Sequence, residues 1–298
     1  MNAFPIRYVD PVFRPPSEAQ SLILPVTDGC SWNRCTFCEM YSEPQKKFRA
    51  RAETEVMDSI RRSGERFGSD IHRVFLADGD ALVLPTRRLM AVLEAIRRHL
   101  PAVRRVSSYC LPRDLRKKSV AELRELAQAG LALAYVGAES GDDEVLAKVS
   151  KGETYASTGE AMDKLREAGI KRSLMILNGL GGKTLSEQHA DNSAKLVNAT
   201  QPEFLSILVL NFPKGEERFR AAFPEWEQLA ERSLFEELER FMAQLELDRT
   251  VFRSDHVSNS LVLKGTLGKD KLRMLQELRI AITQPECASL RPIVARGL

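Results

Sequence analysis

The sequence contains no apolar run near the roughly 18–20 residues a membrane span requires. Its opening residues, Met-Asn-Ala-Phe-Pro-Ile-Arg, hold no hydrophobic segment of a secretory signal. These two absences set the expectation of a cytoplasmic protein in a reducing compartment, where disulfides do not persist. An excess of one charge is missing as well, with 44 basic against 41 acidic residues and a net charge of +3. So even a balance argues against a nucleic-acid-binding surface. There is no low-complexity tract and no internal repeat. Cysteine is scarce, five in 298 residues, and no second Cys-x2-Cys knuckle exists. What remains is ordinary for a globular enzyme: 43% hydrophobic and 29% charged residues, on a length that fits one large domain or one domain with an extension.

The few cysteines are unevenly placed. Cys30, Cys35 and Cys38 fall within nine residues of the stretch Thr27–Met40. A structural cysteine is usually a lone small hydrophobe, and three so close point to a shared metal. Three thiolates with no fourth ligand nearby leave one coordination position open, and on a [4Fe–4S] cluster the open iron can bind a small molecule. Zinc needs four ligands, or three and water. His72 or Cys110 could complete such a site, so a zinc-stabilised nucleic-acid-binding or scaffold protein stands as the alternative. A disulfide with one spare thiol fits a reducing compartment less well.

Taken in order, residues 1–19 carry Pro5, Pro11, Pro15 and Pro16 and read as an extended N-terminal arm. Strands are expected at Ser21–Val26, Arg73–Ala77, Arg105–Tyr109, Leu131–Val136, Ser173–Leu177 and Phe204–Leu210. Helices are expected around Val56 and Ile60, after Pro85, from the capping box Ser119–Glu122 to Gly130, near 143–149 and 155–168, after a cap at Thr184, through Leu234–Leu245, and near 269–282. The basic segment Lys46–Arg51 reads as a solvated connection, with a positive collar for an anionic substrate as the second reading. Strand–helix alternation implies parallel strands with right-handed crossovers. Six units fall short of eight, so the expected α/β fold is an open, partial (β/α)6 TIM-like barrel with a short C-terminal extension. Residues 20–215 would form the core, and 216–298 a helical extension that closes the barrel. Ligands in such folds bind at the C-terminal strand ends. Cys30, Asp78–Asp80, Cys110, Glu139–Ser140 and Asn178–Gly179 all fall there.

The cysteine stretch resembles the cluster loop of radical S-adenosylmethionine (SAM) enzymes. Their usual pattern is Cys-x3-Cys-x2-Cys with an aromatic residue before the last cysteine. Here the first gap is one residue longer, Cys30-x4-Cys35-x2-Cys38, and Phe37 fills the aromatic slot. Asp78-Gly79-Asp80 stands where the family carries Gly-Gly-Glu, with Asp80 one methylene shorter than the usual Glu and Asp78 in place of the first Gly. Tyr135–Leu146 with Lys151-Gly152 is similar to the fourth-strand signature of the branch holding tRNA methylthiotransferases, the Elongator-type acetyltransferase and cobalamin-binding radical enzymes. Asn178–Gly182 resembles the glycine segment that borders the adenine. The resemblance covers residues 20–215 and implies a [4Fe–4S] cluster on Cys30, Cys35 and Cys38, with SAM as the second cofactor. It places Asp78, Gly79 and Asp80 at the SAM ammonium, Glu139 and Ser140 at ribose or carboxylate, and Phe37, Asn178 and Gly179 around the adenine. No catalytic residue is assigned beyond the cluster.

The implied activity is reductive cleavage of SAM to a 5′-deoxyadenosyl radical that takes a hydrogen from a small-molecule substrate. An electron donor such as flavodoxin or ferredoxin is implied with it. The even charge favours a small molecule and leaves tRNA modification as the competing substrate class. Only Cys110 and Cys287 remain for a second cluster, and they lie far apart, so none is expected. Beyond the matched segment, Arg253, Asp255, His256 and Asn259 sit in seven residues between apolar stretches. They are candidate substrate contacts, with an ordinary polar loop as the even alternative.

Overall fold

The computed structural model describes residues 4–292. In chain order its elements are β1 (Leu22–Pro25), β2 (Thr27–Asp28), β3 (Arg49–Ala50), α1 (Glu53–Phe67), β4 (Arg73–Ala77), α2 (Thr86–His99), β5 (Arg105–Cys110), α3 (Val120–Gln128) and β6 (Leu131–Glu139). They continue with α4 (Asp143–Lys148), α5 (Tyr155–Ala168), β7 (Lys171–Asn178), α6 (Gly182–Thr200), β8 (Phe204–Val209), α7 (Glu217–Ala222), α8 (Glu231–Ala243), β9 (Val251–Arg253), β10 (Lys264–Thr266) and α9 (Leu267–Thr283). The six expected strands are β1, β4, β5, β6, β7 and β8.

Two compact units share these elements. One holds the residues up to Asn33, Met40–Val136 and Glu160–Arg172; the other holds Arg34–Glu39, Gly137–Gly159 and the chain from Ser173 on. In the first, β1, β4, β5 and β6 lie side by side, all parallel, with Leu22 opposite Val74 and Arg73 opposite Arg105. Strand β4 is a continuous apolar run, Val74–Ala77, buried throughout. Such a run marks a parallel strand covered on both faces. Helix α2 buries Leu89, Val92, Leu93 and Ile96, the 3.6-residue face read from the sequence. Helix α3 starts at the expected box: Ser119 Oγ accepts from the Glu122 N–H at 3.2 Å, and Glu122 Oε2 accepts from the Ser119 N–H at 2.8 Å. The arm is anchored by Glu18, fully buried, which accepts from Tyr135 Oη and Arg105 Nη2, both at 2.6 Å.

In the second unit, β7, β8 and β9 run parallel and β10 closes antiparallel on β9. Strands β9 and β10 were not expected; three residues each leave no alternation to read. Helix α8 buries Phe235, Leu238, Phe241 and Met242. Helix α6 begins at Gly182, not at a Thr184 cap, and Gly181 precedes it with no side-chain cap. The glycine run makes the turn itself: Gly182 has φ +60°, and a Cβ there would lie 2.5 Å from the Trp226 ring. Among the described residues no helix is long and apolar enough to cross a membrane.

Candidate active site at the strand ends

In the first unit, the chain that leads to Cys30 is held from below. Asp28, buried, accepts from Arg51 Nε at 2.9 Å and Nη2 at 2.7 Å. Asp78 follows β4; its Oδ2 accepts from the Gly29 N–H at 3.1 Å and from Lys46 Nζ at 2.6 Å. Lys46 and Arg51 are therefore buried partners of carboxylates, not members of a solvated connection. Burial pushes the Asp78 carboxyl above its usual range, against the pull of Lys46 and the Gly29 N–H. Its other oxygen, Oδ1, is buried and has no hydrogen-bond partner. Asp80 Oδ1 accepts from the Ser31 N–H at 3.0 Å, and its Oδ2 accepts from Ser31 Oγ. Burial raises the Asp80 pKa to about 6, although the Ser31 hydrogen bonds and the Arg113 charge oppose it. Gly79 lies against the loop, and its N–H donates to the Gly29 carbonyl at 3.0 Å.

That close approach leaves no room for a side chain. A Cβ on Gly79 would sit 2.8 Å from Cys30 Cα, Cys30 Cβ and the Gly29 carbonyl oxygen. Gly79→Ala is expected to cost about 1–3 kcal/mol through backbone displacement and to lower iron uptake with it. Gly159→Ala on α5, where a new Cβ meets nothing within 4 Å, is expected to keep or raise stability, because alanine is the better helix former. Paired thermal melts and iron assays check this.

In the second unit, Arg34–Glu39 is clamped from several sides. The Thr36 N–H donates to the Val149 carbonyl at 3.0 Å. Arg218 Nη2 donates to the Cys35 carbonyl at 2.9 Å and its Nη1 to the Cys38 carbonyl at 3.4 Å. Phe37 packs on an apolar cluster that includes Val149, Leu177, Leu180 and Trp226. Lys151, buried, lies 5.8 Å from the Phe37 ring centre and donates to Glu139 Oε1 at 3.0 Å. Burial works to lower the Lys151 pKa, but Glu139 and the Cys35 and Cys38 thiolates outweigh it and hold the group above its ordinary value. Glu139 itself has φ +65°, a left-handed conformation uncommon for a residue with a Cβ.

The Ser140 hydroxyl points inward. Its Oγ accepts from the Asp142 N–H at 2.9 Å and lies 2.8 Å from His189 Nδ1. Glu237, buried on α8, accepts from the Gly179 N–H at 2.6 Å and from Ser186 Oγ. The Gly179 carbonyl accepts from Trp226 Nε1 at 3.3 Å, and Asn178 Nδ2 donates to the Leu234 carbonyl at 3.0 Å. Burial raises the Glu237 pKa, against His189, Ser186 and the Gly179 N–H. His189, Arg218 and Glu237 escaped sequence reasoning, since each lies at an ordinary helix position and gains its meaning only from partners distant in sequence; Lys151, quoted with the fourth-strand signature, gains its partner Glu139 only in the folded chain.

The polar stretch after β9 is tied to its own unit. Asn259, buried, gives its Nδ2 to the Ile207 carbonyl at 2.9 Å. His256 Nδ1 lies 2.8 Å from Ser258 Oγ, which accepts from the Val209 N–H at 3.1 Å. Arg253 is half exposed and reaches Asp255 at 3.5 Å, and Lys264 reaches Asp255 at 3.1 Å. Burial and the Arg291 charge lower the His256 pKa, with Asp255 opposing. Cys110 is buried and Cys287 exposed, and none of the five cysteines forms a disulfide.

Strand-end loops on parallel α/β units, with three thiols in one loop and buried carboxylates at its base, define a cofactor-binding α/β protein. Residues 24–197 match the family model of the radical SAM superfamily. That is more than half of the chain, and the chain belongs to this superfamily, whose cofactors are SAM and a [4Fe–4S] cluster. It is similar to the heme chaperone HemW of Bacillus subtilis, 24% identical over 182 residues that cover 59% of this chain and 47% of that protein. The chain thus spans about half the length of this curated relative. Among solved structures, it resembles coproporphyrinogen III oxidase (HemN) from Escherichia coli, with TM-score 0.56, 15% identity, and 75% of this chain and 51% of that one covered. It also resembles methylornithine synthase (PylB), with TM-score 0.52, 14% identity, and 87% and 81% covered. A third is the cobalamin-dependent radical enzyme OxsB with aqua-cobalamin and SAM bound, with TM-score 0.51, 17% identity, and 93% and 38% covered. At these identities the likeness is one of fold, and it is the partial-barrel α/β fold expected from the strand count.

Proposed function

We propose that this chain is a radical SAM enzyme in which Cys30, Cys35 and Cys38 hold the cluster, acting on a small molecule in the cytoplasm with a protein electron donor such as flavodoxin or ferredoxin. When bound, the cluster supplies the electron that cleaves SAM to methionine and a 5′-deoxyadenosyl radical. Among the described residues no three His, Cys, Asp or Glu side chains are gathered at metal-binding distance. The fit rests instead on the donor set: three thiols in one nine-residue stretch, none in a disulfide, as a three-thiolate cluster site requires. The observation that carries the reading is the orphaned Asp78 Oδ1 beside the Cys30 loop. A buried acceptor without a partner is costly, and an ammonium group such as that of SAM would satisfy it. Asp80 contributes beside it, although both its oxygens already accept from Ser31. Gly79 lets the backbone approach. In the second unit, Phe37, Asn178 and Gly179 would frame the adenine, Glu139 and Ser140 the ribose or carboxylate, and Lys151 would hold Glu139 in place. Arg253, Asp255, His256 and Asn259 are proposed for substrate, with Arg253 suited to a carboxylate or phosphate.

The test is anaerobic reconstitution with iron and sulfide, then SAM and a reductant. About four irons per chain, a broad visible absorbance and release of 5′-deoxyadenosine support the reading. Stoichiometric zinc without iron, and no 5′-deoxyadenosine, would overturn it.

A further inference from the structure

We propose that Ser140, His189 and Glu237 form a buried positioning relay that sets the two loops after β6 and β7, and that Ser140 and Gly179 act through it without contacting SAM. This rests on the radical SAM reading above and reassigns two residues within it. The row combines hydrogen bonds at its two ends with one longer, electrostatic step between His189 and Glu237. Ser140 Oγ and His189 Nδ1 are 2.8 Å apart, and His189 Nε2 faces Glu237 Oε1 at 3.8 Å. Glu237 Oε1 then accepts the Gly179 N–H at 2.6 Å. The Ser140 oxygen already accepts from the Asp142 N–H, so its one proton is free to go to Nδ1. That places the imidazole proton on Nε2, toward the carboxylate.

Burial decides what this row can do. Ser140 is 0% and His189 1% exposed, so no substrate reaches the hydroxyl and a hydrolytic serine is excluded. The adjacent cavity, lined in part by Asn178, His189, Ser193 and Glu237, has room for about 10 Å³, the size of a single water. What the relay can do is hold backbone. The Ser140 side chain fixes the turn directly after Glu139, whose φ of +65° is sustained only if its surroundings impose it. Glu237 fixes Gly179, whose φ is +85°. Helices α6 and α8 thereby hold two loops that carry the residues proposed around the ribose and adenine.

Binding of S-adenosylhomocysteine to the reconstituted protein, measured by anaerobic calorimetry, reads this without turnover. Ser140→Ala and His189→Leu are each expected to weaken binding about tenfold while iron uptake stays at the parental level. The double variant is expected to bind no more weakly than either single one, as members of one chain of contacts do. Ser140→Thr, which keeps the hydroxyl, is expected to restore affinity. Glu237→Gln keeps an acceptor for the Gly179 N–H and serves if the other variants fail to fold; it is expected to weaken binding three- to tenfold. Affinities within twofold of the parent in folded variants, or additive losses in the double variant, would overturn the relay while leaving the radical SAM reading intact. No binding by the parent, together with no iron uptake, would overturn both.

Discussion

Cys30→Ala, Cys35→Ala and Cys38→Ala are each expected to abolish iron loading on anaerobic reconstitution, whereas Cys110→Ala and Cys287→Ala keep the iron of the parent. A cubane held by three thiolates has no spare protein ligand, so loss of any one removes a third of its anchorage. Cys110 is buried at the end of β5, where its Sγ lies 3.3 Å from the Leu111 carbonyl. Cys287 is exposed in a short turn after α9. Iron per chain and the visible spectrum report the outcome. About eight irons per chain, or a loss of iron in Cys287→Ala, would show a second cluster and break the assignment.

Lys46→Ala is expected to destabilise the protein by about 3–5 kcal/mol, the cost of leaving one charge of a buried pair without its partner. The side chains of Lys46 and Asp78 are 1% and 3% exposed, so water does not replace the lost ammonium. In a chain of this size that corresponds to a melting temperature lower by roughly 5–8 °C. Removing both charges, in Lys46→Met with Asp78→Asn, is expected to recover much of the loss, because no uncompensated charge stays behind. A drop below about 1 kcal/mol for Lys46→Ala would place the pair among solvated surface bridges and show that it does not hold the base of the loop.

The fold was legible wherever burial leaves a repeat in the sequence. Strand β4, Arg73–Ala77, and helix α5, Tyr155–Ala168, begin and end where the apolar pattern and flanking residues place them. Strands β9 and β10 were not, since they form only by pairing with β8 and with each other. Of the candidate site, the residue types that bear chemistry were readable: clustered cysteines, acidic residues after β4, and glycines after β7. Their supports were not. Lys46 and Arg51 looked like part of a basic surface stretch because their carboxylates, Asp78 and Asp28, lie 32 and 23 residues away. His189 and Glu237 sit at helix positions that a solvated face would equally occupy, and only the folded chain brings them to Ser140 and Gly179.

The two buried ion pairs under Cys30 bear on how the protein acquires its metal. Small metal domains that fold around their ion have no formed socket beforehand, and binding energy is folding energy. Here Asp28 with Arg51 and Asp78 with Lys46 fix the run from Thr27 to Ser31 with protein contacts alone. The approach to the first cysteine is therefore held by contacts between protein groups, and its β2–β3 pairing is expected to persist in a chelated sample, as amide exchange before and after chelation checks. On that expectation, iron delivery is a transfer to a loop whose base is already in place, and reloading after chelation requires no refolding of that base.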